Sequence, residues 1–300
     1  PCNSPKKRES NVCIGKKGLG FRALLNLSQH IEIHSGEHIL IYDKYSEAKE
    51  NISMLQLPMI RRADKGIKGV KIEVVYNDKS EFEDECVSFA AQNLLFLKHI
   101  ERVVLKTETK LKIFEIKRTN TGIGTEILER DESSLKSSFW DLYSCELKNE
   151  DEENEFNRNL PPERSAVIAV PRDVSTMGAR RLFSFLPTNI ILDVPILIHG
   201  NFSLDPTRKQ LNESVEDAKH NKEIWNRISV IIEKFIDDFT SYHPKDNSEC
   251  RWQKYDVLNG LKACENLKTE AIKMLRDKPV CPRIDGSFDY IRSAKFISLR

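Results

Sequence analysis

The feature that most constrains this sequence is a cluster of glycines near its start. Only 12 of the 300 residues are glycine, and three of them, Gly15, Gly18 and Gly20, fall in one short stretch. Glycine tolerates positive φ and lets backbone N–H groups approach a phosphate without a Cβ in the way. Residues 22–27 then begin a helical pattern, and a helix N-terminus adds partial positive charge. The cluster therefore predicts either a phosphate-binding loop or a tight turn that caps a helix.

The surroundings of these glycines exclude two familiar phosphate-binding motifs. No Gly-Lys-Ser or Gly-Lys-Thr follows, so the stretch is not a Walker loop. No strand pattern leads into it, and its spacing differs from the dinucleotide-binding fingerprint. Lys16 and Lys17 supply positive charge that would neutralise phosphate oxygens.

The first half of the chain predicts strands and one helix. Alternation over residues 31–42, with a turn at Ser35-Gly36-Glu37, predicts a β-hairpin. Residues 82–97 have the apolar spacing of an amphipathic helix. A strand is predicted at 70–76, with Val70, Ile72 and Val74 facing inward. Four short strands at the spacing of a meander are predicted at 102–105, 111–116, 126–129 and 139–147.

The second half predicts a further sheet and two helices. A long amphipathic helix is predicted over 213–242, and a last helix over 256–276 with Leu261, Leu267, Ile272 and Leu275 inside. Strands are predicted at 166–170, 183–186 and 196–204. This mixture of meander strands and helices predicts an α+β protein in two lobes.

Composition narrows the class of protein. The 47 Lys and Arg residues against 46 Asp and Glu residues argue against nucleic-acid binding by bulk charge. No window approaches the roughly 18 apolar residues of a membrane span. Seven cysteines without a Cys-x-x-Cys pair predict reduced thiols in a cytoplasmic protein. The basic residues around 61–71 and the acidic run at 146–155 are typical of solvated surfaces.

Histidines at two places in the sequence are candidate functional residues. His30, His34 and His38 recur every fourth residue, which on a helix would form a metal-binding face. The alternation around Ile31 and Gly36 argues against that helix, so no metal site is expected there. His199 lies in an apolar strand, where a buried, hydrogen-bonded histidine is favoured over a catalytic one.

Several stretches together resemble one ATPase superfamily. Residues 14–22 with Glu32-Ile33-His34-Ser35-Gly36 resemble the second glycine box of the GHKL (Bergerat-fold) ATPases, and the sacsin-like and NO VEIN-like branch in particular. Three more stretches agree with that branch: 93–97 with 100–103, 186–188 with 194–204, and the turn Thr207-Arg208-Lys209-Gln210-Leu211.

The resemblance implies a partial Bergerat-type two-layer α/β sandwich, then a second α+β transducer-like domain and C-terminal helices. The corresponding boundaries are a truncated ATPase-like domain at 1–145, an acidic linker or loop at 146–162, a middle domain at 163–243 and a helical segment at 244–300. It also implies ATP held under a mobile lid, with Mg²⁺ bridging the phosphates. The lid residues around the phosphates would be Gly15, Lys16, Lys17, Gly18, Leu19, Gly20 and Phe21.

Arg208 is the one catalytic residue that the resemblance implies. It is similar in placement to the arginine that reaches across from the middle domain of the ninety-kilodalton heat-shock chaperones. A guanidinium there would stabilise charge developing on the γ-phosphoryl group. The alternative is a surface turn residue before the long helix.

One departure from the family bears on activity. The family's Glu-x-x-x-Asn and Asp-x-Gly-x-Gly motifs precede the second glycine box, and only Pro1 to Val12 precede it here. We therefore expect an N-terminally truncated member that does not hydrolyse ATP alone. The expected function is an ATP-binding, chaperone-like switch coupled to partner binding. The alternatives are a non-enzymatic scaffold with a degenerate nucleotide site, or a fragment of a nucleic-acid or defence ATPase. The expected partner is a protein, including a second copy in a homodimer, and neither nucleic acid nor a membrane.

Overall fold

A computed structural model describes residues 28–43, 59–76, 79–97, 100–118, 124–144, 166–173, 177–178, 180–205, 207–242, 253–283 and 287–293. The chain divides into two compact units, Pro1–Ser88 and Phe89–Arg300. Both contain strand and helix, so the protein is mixed α+β, with one large and mostly antiparallel sheet. Among the described helices, none is both long and apolar enough to cross a membrane.

The first unit contains a long antiparallel pair of strands, β1 (Ser28–Asp43) and β2 (Met59–Tyr76). The hairpin predicted around Gly36 is wrong, because β1 continues through that residue. Gly36 has φ 58°, and the register shifts on both sides of it. A glycine in this conformation forms a bulge that bends a strand without reversing it.

The predicted inward face of β2 is also wrong. Val70 is 66% exposed and Ile72 is 47% exposed, whereas the buried apolar residues of the pair are Ile31, Ile39 and Ile41 on β1. A two-stranded sheet cannot cover the apolar side chains of both strands. Alternation in the sequence identifies the strand, but it does not say what covers it.

The predicted helix over 82–97 is shorter in the structure. Helix α1 spans Lys79–Ser88, and a separate 3-10 turn at Ala91–Leu94 belongs to the second unit. Leu94, Leu95, Phe96 and Leu97 are all buried. Four consecutive residues cannot share one face of an α-helix. The tighter turn and the bend after it bury all four.

The second unit is built on an eight-stranded sheet of order β3-β4-β5-β6-β7-β10-β8-β9. All neighbours are antiparallel except β8 and β10, which are parallel. The predicted meander is confirmed. Its strands and those that follow are β3 (Arg102–Lys106), β4 (Leu111–Arg118), β5 (Gly124–Arg130), β6 (Leu135–Ser144), β7 (Ala166–Pro171), β8 (Arg181–Ser184), β9 (Leu186–Ile191) and β10 (Leu197–Gly200).

Strand β7 shows where the core lies. Ala166, Ile168 and Val170 pack into one apolar cluster, and Val167 and Ala169 pack into another on the opposite face. The sheet is therefore covered on both faces at its centre, which explains why this strand is an unbroken apolar run. Because β6 and β7 are antiparallel neighbours, the segment 146–162 connects adjacent strands of one sheet. That segment lies outside the described residues, and the domain boundaries stay a prediction.

Helix α2 (Val215–Tyr242) confirms the long predicted helix. Ser214 begins it, since its Oγ accepts the backbone N–H of Asp217 at 3.2 Å and donates to that carboxylate at 2.7 Å. Its apolar stripe joins the cluster on one face of the sheet through Ile224, Ile228, Ile231 and Phe235.

The single helix predicted over 256–276 is wrong. The structure has two helices, α3 (Gln253–Leu261) and α4 (Lys268–Asp277), followed by the short strands β11 (Cys281–Pro282) and β12 (Phe288–Asp289). The turn between the helices buries both Cys264 and Leu267. Leu261 and Leu275 are buried as predicted, whereas Ile272 is 48% exposed.

Candidate functional site

The structure describes one part of the predicted nucleotide site. The glycine loop, with Gly15, Lys16, Lys17, Gly18, Leu19, Gly20 and Phe21, lies outside the described residues, so its role stays a prediction. Arg208 lies within them. Its surroundings define the first candidate site.

Arg208 is carried on a tight loop between β10 and α2. Leu204 and Leu211 form a β-bridge that closes this loop, and we call its described residues, 205 and 207–210, the Arg208 loop. The Asp205 carboxylate accepts hydrogen bonds from several residues of the same loop. It accepts the backbone N–H groups of Thr207 at 3.1 Å, Lys209 at 2.8 Å and Gln210 at 3.0 Å, and also the Thr207 hydroxyl.

These hydrogen bonds favour the ionised form of Asp205. The Thr207 hydroxyl contributes most, and the pKa of the carboxyl falls below its ordinary value. A carboxylate that accepts hydrogen bonds from several backbone N–H groups stabilises the turn that they form. The Arg208 loop therefore has a fixed backbone.

The Arg208 backbone is in the left-handed region, with φ 58°. Its N–H donates to the Asp205 carbonyl at 3.0 Å, and its carbonyl accepts the N–H of Asn189 at 2.9 Å. A non-glycine residue with this φ is uncommon and is held by its surroundings. The conformation aims the side chain of Arg208 at the turn between β8 and β9.

That turn, Ser184-Phe185-Leu186, which we call the Phe185 turn, receives the guanidinium. Arg208 Nη2 donates to the Ser184 carbonyl at 3.0 Å and to the Leu186 carbonyl at 2.9 Å. The guanidinium is half-buried, and burial lowers the pKa of Arg208 below its ordinary value. Arginine still stays protonated at any physiological pH. The side chain is thus a fixed positive charge.

Phe185 also has a left-handed backbone, with φ 64°. Its N–H donates to His199 Nδ1 at 3.1 Å. The His199 ring is buried and stacks on Phe96, with the ring centres 4.9 Å apart. The prediction of a buried, hydrogen-bonded histidine is confirmed. The left-handed backbone at Phe185 interrupts the single strand predicted at 183–186, so the structure has two strands there, β8 and β9.

The segment just before the Arg208 loop is held to helix α2. Buried Asn221 accepts the backbone N–H of Ser203 through Oδ1 at 2.8 Å, and its Nδ2 donates to the Ser203 carbonyl at 3.1 Å. Residues from β8, β9, β10 and α2 therefore position one arginine. Chemically, the arrangement supplies a pre-positioned cation, which suits an anionic ligand.

A second polar group lies in the first unit. Glu32, His34 and Glu73 bring their ligand atoms within 4.8 Å of one another, and we call them the Glu–His–Glu cluster. His34 Nε2 lies 3.2 Å from Glu32 Oε2 and 2.8 Å from Glu73 Oε2. Of the three histidines weighed in the sequence, only His34 belongs to this cluster.

The sequence contains one signal for the Arg208 loop, and its only signal for the cluster is the repeat of histidines that includes His34. An Asp two residues before a Thr is typical of a turn closed by the Asp side chain, and Asp205 fits that pattern. Glu73 lies opposite Glu32 only because of the β1–β2 register. That pairing spans about forty residues of sequence and depends on a bulge.

Comparison with known proteins adds no family to this description. No protein-family model matches the chain, and no curated protein matches its sequence. The residues and their geometry are therefore the basis for the proposed function.

Proposed function

We propose that this chain is the lid and transducer part of an ATP-binding switch of the GHKL type, which couples nucleotide state to the binding of a protein partner. In this proposal residues 1–145 form the truncated, Bergerat-type part that holds the nucleotide, and residues 163–243 form the transducer-like part. The observation that carries the proposal is Arg208, a half-buried cation with a fixed backbone.

The geometry of Arg208 suits the γ-phosphate of ATP. Both side-chain hydrogen bonds that the structure describes for Arg208 use Nη2, and in this proposal Nη1 and Nε donate to the anion. A guanidinium that is already oriented loses little freedom when it meets a phosphate. The resemblance to the GHKL family separately implies a phosphate-binding role for the glycine loop at 15–20, and Mg²⁺ would neutralise part of the phosphate charge when bound.

One observation favours the alternative of a non-enzymatic scaffold. Arg208 already stabilises the Phe185 turn by joining two of its carbonyls. An arginine with that role is needed for folding whether or not a nucleotide is present. The experiment must therefore separate nucleotide recognition from stability.

The test compares Arg208→Ala with Asp205→Asn. Asp205→Asn loosens the same loop and leaves the guanidinium in place, so it is the matched control. Affinities for ATP and ADP are measured with Mg²⁺, beside the free energy of unfolding. We expect Arg208→Ala to remove most of the preference for ATP over ADP, whereas Asp205→Asn keeps it.

ATP turnover is then measured for the same pair of variants. If the protein hydrolyses ATP, Arg208→Ala should lower turnover far more than affinity. An unchanged rate, or an equal loss of ATP preference in both variants, would show that Arg208 acts only in folding.

A further inference from the structure

The Glu–His–Glu cluster lies on one face of the β1–β2 pair. Glu32 and His34 are two residues apart on β1, which places their side chains on the same side of the strand. Glu73 on β2 is the direct cross-strand partner of Glu32. The three side chains therefore converge across the strand pair, and this cluster is independent of the nucleotide site proposed above.

The atoms that converge have the spacing of metal ligands. His34 Nε2 lies 3.2 Å and 2.8 Å from two carboxylate oxygens, Glu32 Oε2 and Glu73 Oε2. Bonds of about 2.0–2.2 Å at tetrahedral angles place two zinc ligands about 3.3 Å apart. The cluster needs only small adjustments to hold an ion of that size.

The contacts between His34 and these two carboxylates are short but poorly aligned for hydrogen bonding. His34 Nε2 is buried and has no well-aligned hydrogen-bond partner among the residues that the structure describes. A cation placed between the three atoms would satisfy all of them.

The Oε1 atom of each carboxylate, which faces away from His34 Nε2, already has another partner. Glu73 Oε1 lies 2.7 Å from Lys71 Nζ, which makes an ion pair with it. Glu32 Oε1 lies 3.4 Å from His30 Nε2, and Asp43 lies 3.3 Å from the other ring nitrogen of His30. Such outer partners orient ligands in metal sites, and their Oε2 atoms are left facing His34.

From these contacts we infer that Glu32, His34 and Glu73 form a Zn²⁺ site that fastens β1 to β2. One imidazole and two carboxylates are a donor set suited to zinc, with water as a fourth ligand. Neutral His34 donates its Nε2 lone pair to the ion, and any proton on that nitrogen leaves to solvent. An isolated two-stranded sheet is marginally stable, so an ion that joins its strands would stabilise it.

The test is a calorimetric titration of the full, tag-free chain with Zn²⁺ alone, without nucleotide. We expect His34→Ala and Glu73→Gln to weaken binding by about 100-fold or more. His30→Ala, which removes an outer partner, should weaken it about tenfold. His38→Ala is the matched control, an exposed histidine on the same strand, and should bind like the wild type.

Co²⁺ identifies the ligands directly. A tetrahedral nitrogen–oxygen site gives strong visible bands without a thiolate charge-transfer band. Circular dichroism checks that His34→Ala folds, and if it does not, Glu73→Gln decides, because it keeps the size of the side chain. Thiolate absorption, wild-type affinity in a folded His34→Ala or Glu73→Gln variant, or no binding at micromolar Zn²⁺ would overturn the inference.

Discussion

His199 Nδ1 accepts the backbone N–H of Phe185 at 3.1 Å. This contact fixes the tautomer of His199 with its proton on Nε2, and it helps to hold Phe185 at φ 64°. The Phe185 turn in turn offers two carbonyls to Arg208. A buried histidine in one strand thus positions the candidate functional arginine through a single turn.

Replacing His199 should therefore destabilise the second unit. His199→Phe keeps an aromatic ring against Phe96 but removes the acceptor, so the Phe185 N–H loses its partner. We expect a loss of about 1–3 kcal/mol in the free energy of unfolding, measured by urea denaturation. Lys136→Ala, an exposed position on β6, is the control and should change little. Wild-type stability in His199→Phe would contradict the assigned hydrogen bond.

Replacing Arg208 with glycine should change the stability of the fold less than replacing it with alanine. Both substitutions remove the hydrogen bonds to Ser184 and Leu186, but only glycine relieves the left-handed backbone at φ 58°. We expect Arg208→Gly to be more stable than Arg208→Ala by about 1 kcal/mol. Thermal and urea unfolding measure the difference. Equal stability would mean that the backbone of the Arg208 loop is not constrained.

Gly200 should not tolerate a methyl group. A Cβ there would lie 2.5 Å from Ile224 Cγ2 and 2.8 Å from Phe202 Cε2, inside the packed interface with α2. We expect Gly200→Ala to cost about 1–3 kcal/mol. Adding Ile224→Ala removes the nearer of the two clashing atoms, so the double variant should lose less than the two separate losses added together. Strict additivity in this cycle would argue against the described packing.

The pH dependence of stability should include a contribution from Asp131. Its carboxylate accepts the N–H groups of Ser133 at 2.8 Å and Ser134 at 2.6 Å, and also both hydroxyls. The Ser134 hydroxyl contributes most, and the pKa of Asp131 falls to about 2 from an ordinary 3.8. Because the folded pKa is depressed, its stabilising effect is present above the ordinary value and is lost as pH falls through about 2.

Asp131→Asn should therefore flatten the fall in stability between about pH 4 and pH 2. Glu132→Gln makes the same change in net charge at the same turn and should leave the slope near that of the wild type. Urea midpoints across this range, supported by an NMR titration of the Asp131 carboxyl, make the comparison. The same slope in Asp131→Asn as in the wild type would contradict the assigned hydrogen bonds.

The order of apolar and polar residues predicted those strands and helices that depend mainly on residues close in sequence. The meander from β3 to β6 alternates apolar and polar residues, and α2 has an apolar stripe and a Ser214 cap, so both could be predicted from sequence. The break at Phe185 could not, because an aromatic residue in a left-handed conformation carries no propensity signal. The turn predicted at Gly36 is wrong for a related reason, because glycine is typical of both bulges and turns.

The candidate sites depend on contacts that are distant in sequence. Arg208 was predicted from its resemblance to a family turn, but its partners Ser184 and Leu186 lie on a different turn. Glu73 was not predicted at all, because its position beside His34 follows from the register of two long strands. Sequence spacing alone does not contain that register.

Direct binding of ATP is the measurement closest to the central claim. Isothermal titration of ATP and Mg²⁺ into the chain should give micromolar affinity. Gly18→Glu and Gly20→Glu should abolish it, because each places a carboxylate and a side chain where phosphate oxygens would lie. Gly66→Ala, in the first unit, is the folded control. No binding by the wild-type chain with its fold intact, or undiminished binding in both glycine-loop variants, would contradict the account.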